Sequence, residues 1–161
     1  MAGPSLGDLR RTAIPMIAVD TNILVYAHRK ESRHHETSRG LMRALAEGPD
    51  LWAIPWPCFY EFFSVVTNPR IWKDATSNPD QAWKQLNAWA LSPTNTLIGE
   101  TNDFLAVLQD FMQRPRVRGP IVHDARVAAI CVAHGVEEIM TADRDFALFP
   151  ELFTRNPLAS T

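Results

Sequence analysis

Two apolar runs that end at aspartates constrain this chain more than any other feature. Ile17-Ala18-Val19 leads into Asp20, and Glu138-Ile139-Met140-Thr141 stops just short of Asp143. Runs this short, apolar at their centres without an alternating pattern, read as strands buried on both faces, and such strands need helices above and below them. Leu51 to Ile54, closed by Pro55 and Pro57, reads as a further strand, as does Thr96-Leu97-Ile98, with Phe153-Thr154-Arg155 as an edge strand. Helical periodicity fills the gaps. Asp20-Thr21-Asn22 can cap a helix start. Residues 34–47 place Leu41, Ala44 and Leu45 on one side before the Gly48-Pro49 stop. A helix from about Cys58 to Val66 ends at Asn68-Pro69, and Pro79 opens another in which Trp83, Leu86 and Trp89 share a face. Asp103 to Met112 carries Phe104, Val107, Leu108 and Phe111, and Pro120 opens an apolar helix ending near His134-Gly135. The expected fold is α/β, a three-layer sandwich with a mostly parallel central sheet and helices on both faces.

A chain of 161 residues fits one domain, here expected over 16–158. Residues 1–15, with Gly3, Pro4, Gly7 and Pro15 and no periodicity, read as a flexible leader, and Met16 stands where a natural start could lie. Arg10 and Arg11 interrupt what a secretory signal would need, and no apolar run approaches a membrane span. The two cysteines, Cys58 and Cys131, read as buried thiols of a reducing compartment, so a cytoplasmic protein is expected. The net charge of −2 does not by itself point to nucleic acid.

Four carboxylates stand out by their surroundings. Asp20 and Asp143 would emerge at the carboxyl edge of a parallel sheet, where open α/β folds place their sites, although a turn or a helix cap would also account for each. Glu61 is the only charged residue between Asp50 and Arg70, on a helix otherwise built from Phe59, Phe62, Phe63, Val65 and Val66. Positions 58, 61, 62 and 65 share a face, so Glu61 is expected to point where its neighbours are buried, paired with a distant arginine or bound to metal. Asp124 lies in the first turn of the apolar helix that Pro120 opens, where the helix dipole would also favour it.

Carboxylates that converge cannot all stay ionised without protons or cations. Two of them about 4 Å apart repel by about 4 kcal/mol at an effective dielectric near 20. An all-oxygen donor set suits Mg²⁺ or Mn²⁺. Zinc is not supported, because His123 beside Asp124 has no partner at ligand spacing. His28, His34 and His35 read as surface residues.

The segments around these acids resemble PIN-domain nucleases: Val19-Asp20-Thr21-Asn22-Ile23-Leu24, Tyr60-Glu61-Phe62-Phe63 with Val65 to Arg70, His123 to Ala129, and Thr141 to Phe146. The four occur in the family's order over about residues 16–158. The chain's size and its Thr-x-Asp-x-Asp-Phe segment look like the VapC toxins in particular. The resemblance implies a Mg²⁺- or Mn²⁺-dependent endoribonuclease, often a homodimer, that is restrained by a VapB antitoxin and cleaves RNA by an activated water. It makes Asp20, Glu61, Asp124 and Asp143 the catalytic and metal-binding acids, with Asn22 and Thr141 in support. Asp145 would assist, unless it merely caps a helix. The competing reading is a catalytically silent PIN fold used as a binding module.

Something positive must hold RNA. Arg29, Lys30 and Arg33, with Arg39 nearby, and the loop of Arg114, Arg116 and Arg118 are the candidates, against the alternative of a solvated basic face. Most tryptophans are expected in the core, with the Trp83/Leu86/Trp89 helix as a surface for a second copy or an antitoxin. Other acid-based enzymes fit less well. An aspartyl-phosphate phosphatase wants an acid where Asn22 stands, and a phosphorelay receiver wants a late lysine, whereas the last lysine here is Lys84.

Overall fold

The computed structural model describes residues 15–159, so the expected leader lies outside the described residues except for Pro15. Five strands form one sheet: β1 (Met16–Val19), β2 (Leu51–Pro55), β3 (Asn95–Ile98), β4 (Glu138–Met140) and β5 (Phe153–Arg155). Their order is β3-β2-β1-β4-β5, and every neighbouring pair is parallel. The sheet is thus parallel throughout. Because β1 sits centrally, Ala18 faces Ala53 on one side and Ile139 on the other.

Parallel strands must be joined by crossovers, and helices supply them. In chain order these are α1 (Thr21–His28), α2 (His35–Glu47), α3 (Trp56–Val66), α4 (Pro69–Trp72), α5 (Pro79–Ala90), α6 (Phe104–Met112) and α7 (Ile121–Ala133). Helices α1, α2, α3 and α5 pack as one group, while α6 and α7 pack together with the 3₁₀ turn Arg144–Leu148. The sheet lies between helices on both faces, a three-layer α/β sandwich. Trp52, Ala53, Ile54, Ala18, Val19 and Ile139 are fully buried, as strands covered on both sides must be. Each large side chain so buried contributes about 1.5–3 kcal/mol.

Local signals set the helix ends. Asn78 and Gln81 close a capping box ahead of α5, with Pro79 at its first position. Gly135, at φ +72°, ends α7 in a conformation that suits glycine.

Several expectations need correction. Helix α3 begins at Trp56 rather than Cys58, with Pro57 in its first turn. The short helix α4 and the 3₁₀ turn Lys73–Ala75 occupy a stretch with no readable period. On α5, Leu86 and Trp89 are core while Trp83 is 54% exposed, so a surface partner can meet only Trp83 of those three. Trp83 packs edge-on against Phe59, and the exposed Trp56 and Tyr60 extend the same aromatic cluster. His28 and His35 are not surface residues. His28 packs on Phe62 and reaches Ser77 at 2.9 Å, and His35 is buried with Nδ1 at the Tyr26 carbonyl oxygen. Both cysteines are buried free thiols.

Candidate active site

The apolar run of β1 ends at Asp20, which turns the chain from the sheet into α1 as the helix N-cap. Its carboxylate is buried and has four donors. Oδ1 accepts from the Thr21 N–H at 2.8 Å and the Cys58 thiol at 3.5 Å, and Oδ2 accepts from the Thr141 hydroxyl at 2.7 Å and Asn22 Nδ2 at 3.2 Å. Burial raises the Asp20 pKa above the usual carboxylate value. The bonds from Thr141, Thr21 and Cys58 pull it down, and the charge of Glu61 adds to the rise.

Asn22 and Thr141 lock β1 to β4. The Asn22 amide donates to Asp20 and accepts the Ala142 N–H at 3.1 Å. Thr141, itself buried, accepts the Asp143 N–H at 2.9 Å while donating to Asp20. One hydroxyl therefore fixes the carboxylate of one strand end and the backbone carrying the acid of the other.

Glu61 is exposed, which corrects the expectation that it points among buried neighbours. Cys58, Phe62 and Val66 carry the buried face of α3, and Glu61 lies at its margin, toward α1. No arginine pairs with it among the described residues; its Oε2 accepts the Thr21 hydroxyl at 3.0 Å.

Asp124, in the first turn of α7, is half-buried. Oxygens of Asp124, Asp143 and Asp145 lie within 4.8 Å of one another. Burial, then the charges of Asp143, Asp20, Asp145 and Glu61, push the Asp124 pKa up to about 7. Asp124, Asp143 and Asp145 thus form a compact group, and Asp20 and Glu61 stand near enough for their charges to act on it. The cap of the Arg144–Leu148 turn is Asp143, which accepts the Asp145 N–H at 2.8 Å, so capping does not account for the Asp145 carboxylate. An all-oxygen set of facing, mutually repelling acids fits a hard divalent cation such as Mg²⁺ or Mn²⁺.

The expected RNA-binding residues divide. Arg29 is 4% exposed, stacked 4.1 Å from the centre of the Trp72 ring, donating to Ser77 at 3.1 Å and lying 3.2 Å from the Glu31 carboxylate. It clamps α1 to the α4 segment and cannot reach a phosphate. Arg114 is also taken up structurally, by Asp110, Glu151 and the Leu148 carbonyl. Lys30, Arg33, Arg39, Arg116 and Arg118 are exposed. Arg144, which was not among the expected RNA-binding residues, is exposed and forms no ion pair among the described residues.

Comparison with known proteins gives the same frame. Residues 17–152 match the family model of the PIN domain. The VapC ribonuclease Mb2897 of Mycobacterium bovis is 32% identical over 143 residues, covering 89% of this chain and 96% of that protein. Ribonuclease VapC48 of Mycobacterium tuberculosis is 29% identical over 140 residues, or 87% of this chain and 96% of the relative. Among solved structures, VapBC2 from Rickettsia felis, bound to a DNA fragment from its promoter, superposes with a TM-score of 0.61. The match covers 88% of this chain and 98% of that one at 18% identity.

Proposed function

The chain belongs to the PIN-domain family and is of the VapC type, and we propose that it is an endoribonuclease, the toxin half of a toxin–antitoxin pair. The observation that carries the reading is the convergence of Asp124, Asp143 and Asp145 with Asp20 and Glu61 at one sheet edge. Relatives named ribonucleases, at about 30% identity over most of the chain, support RNA as the substrate class.

The reaction is in-line attack of water on a phosphodiester. Asp20, Asp124 and Asp143 would hold Mg²⁺ or Mn²⁺, with Asp145 beside them. A divalent cation held there would supply a lowered pKa for water and charge shielding for the phosphate oxygens. The rest of the work falls to the protein. Thr141 and Asn22 keep the Asp20 carboxylate in one orientation. Glu61, steadied by Thr21, can accept a hydrogen bond from the attacking water and aim it. No histidine, serine or cysteine nucleophile is required.

A VapB-like antitoxin is the proposed protein partner, in line with the toxin–antitoxin assemblies among the structural neighbours. The proposed assembly is a homodimer and the proposed compartment the cytoplasm. No helix among the described residues is long and apolar enough to cross a membrane.

The test is cleavage of defined single-stranded RNAs and tRNAs with Mg²⁺, Mn²⁺ or EDTA, beside Asp20→Asn purified in the same way. Metal-dependent cleavage that drops at least about a thousandfold in the variant is expected. Failure of the folded, antitoxin-free protein to cleave any of them would replace this reading with the silent binding module.

A further inference from the structure

A cleft of about 350 Å³ opens between the ends of β4 and β5, and Thr141 and Asp143 form one of its walls. It therefore adjoins the acidic site. The opposite wall is Thr154 and Asn156, brought there because β5 runs parallel to β4 with Ile139 facing Thr154 and Met140 facing Arg155. Ala142 and Ala147 add small apolar surface, and Arg144 adds a cation.

On the side of this cleft away from Asp143, Arg144 and Asn156 supply donors and the Thr154 hydroxyl can donate or accept. Among the described residues Arg43, Arg114, Arg126 and Arg155 are held by carboxylates, whereas Arg33, Arg39, Arg70, Arg116, Arg118 and Arg144 form no ion pair. Arg144, which alone lines the cleft, has no such pair among the described residues. Asn156 Oδ1 accepts the Leu158 N–H at 3.0 Å, which orients the amide and leaves Nδ2 to donate. Its volume falls at the lower end of the range of about 300–1,000 Å³ typical of small-molecule sites.

Resting on the nuclease reading, we propose that this cleft is a nucleotide subsite, which seats one base of a single-stranded RNA beside the bond to be cut. Arg144 meets the backbone phosphate, and Asn156 Nδ2 and the Thr154 hydroxyl read the base edge. A compact free anion is a poorer fit, because Asp143 and Asp145 flank the cation in sequence and repel concentrated negative charge. A strand offers one charge per nucleotide and a flat base for the alanine surface. With Oδ1 turned to the Leu158 N–H and Nδ2 left to donate, Asn156 favours guanine, whose O6 and N7 are adjacent acceptors. Adenine would set its N6 donor against Nδ2.

The test has a binding arm and a cleavage arm. In the first, the full chain in EDTA is titrated with the trinucleotides UGU and UAU and followed by amide NMR. Shifts at Ala142, Thr154 and Asn156, larger for UGU, are expected. Shifts confined to other surfaces, or equal for the two, overturn the proposal. In the second, wild type, Arg144→Gln and Asn156→Asp cut a randomised single-stranded RNA pool. Asn156→Asp keeps the acceptor for the Leu158 N–H, so the turn survives, and it should move the preferred base at one position from guanine toward adenine. Arg144→Gln should raise KM about tenfold with a smaller change in kcat. Cleavage whose base preference ignores Asn156→Asp overturns the subsite and leaves the nuclease reading standing. Cleft shifts without any wild-type cleavage do the reverse, and neither binding nor cleavage overturns both.

Discussion

The hydroxyl of Thr21 donates to the Glu61 carboxylate at 3.0 Å, so the residue that follows Asp20 in the chain holds the acid delivered by α3. Thr21 is buried and Glu61 exposed, which makes this bond an orienting one more than a stabilising one. Thr21→Val keeps the shape and deletes the donor. It should cost about 0.5–1.5 kcal/mol in urea unfolding and lower kcat at least about tenfold, with Thr21→Ser near wild type. Equal kcat for Val and Ser would remove Glu61 positioning from the mechanism.

Thr141→Val should be more damaging to the fold. The hydroxyl is buried, donates to Asp20 and accepts the Asp143 N–H. Leaving both partners short of a bond should cost about 1–3 kcal/mol. Mn²⁺ affinity, read by calorimetry, should fall about 10- to 100-fold, as for a lost outer partner of a metal ligand. Unchanged Mn²⁺ affinity would confine Thr141 to a structural role.

The raised Asp124 pKa fixes the direction of pH dependence without metal. Burial and the neighbouring acids let the native protein keep a proton, up to about pH 7, that the unfolded chain releases near 3.8. Stability is therefore greatest at the acid end of that window and declines as pH rises from about 4 to about 7, with Asp20 pulling the same way. Thermal unfolding in EDTA should show the decline, Mg²⁺ should abolish it, and Asp124→Asn should flatten it. A metal-free protein that gains stability over this window would contradict the convergence of these acids.

Arg29→Met separates scaffold from substrate contact. Loss of the Trp72 stack and the Ser77 bond should destabilise the protein by about 1–3 kcal/mol. The salt dependence of RNA binding should stay as in wild type, since a buried guanidinium neutralises no phosphate. A shallower salt slope in filter binding would return Arg29 to the RNA surface.

What the sequence disclosed depended on how local each signal was. Asp20 and Asp143 were legible as acids at strand ends because an apolar run followed by a carboxylate needs no distant partner to be read. The sandwich and the parallel sheet followed from the same alternation. Glu61 could be picked out by its isolation, but its orientation could not, since a helical wheel does not say where the margin of the buried face falls once α1 is packed beside α3. Arg29 and Arg114 were misjudged for a related reason. Trp72 and Ser77 lie more than forty positions from Arg29, and Glu151 lies 37 from Arg114. Basic residues look alike in a sequence until their partners arrive. Asp145 and Arg144 are the converse case, adjacent in sequence beside Asp143, of which the fold places Asp145 with the acids and Arg144 in the cleft beyond them.

The bond between Thr141 and Asp20 spans 121 positions and joins the first strand to the fourth. A ribosome delivers these pieces in order, β1 and α3 early, α7 and β4 late. The emerging polypeptide can pack its leading elements while Asp20 still lacks the hydroxyl that orients it and Asp124 and Asp143 are not yet made. On the proposed function, such a molecule would lack its acid site through most of its synthesis and would gain it only when β4 slots in beside β1. On the same reading, a fragment ending before β4 would carry Asp20 and Glu61 without the Thr141 hydroxyl or the Asp143 carboxylate.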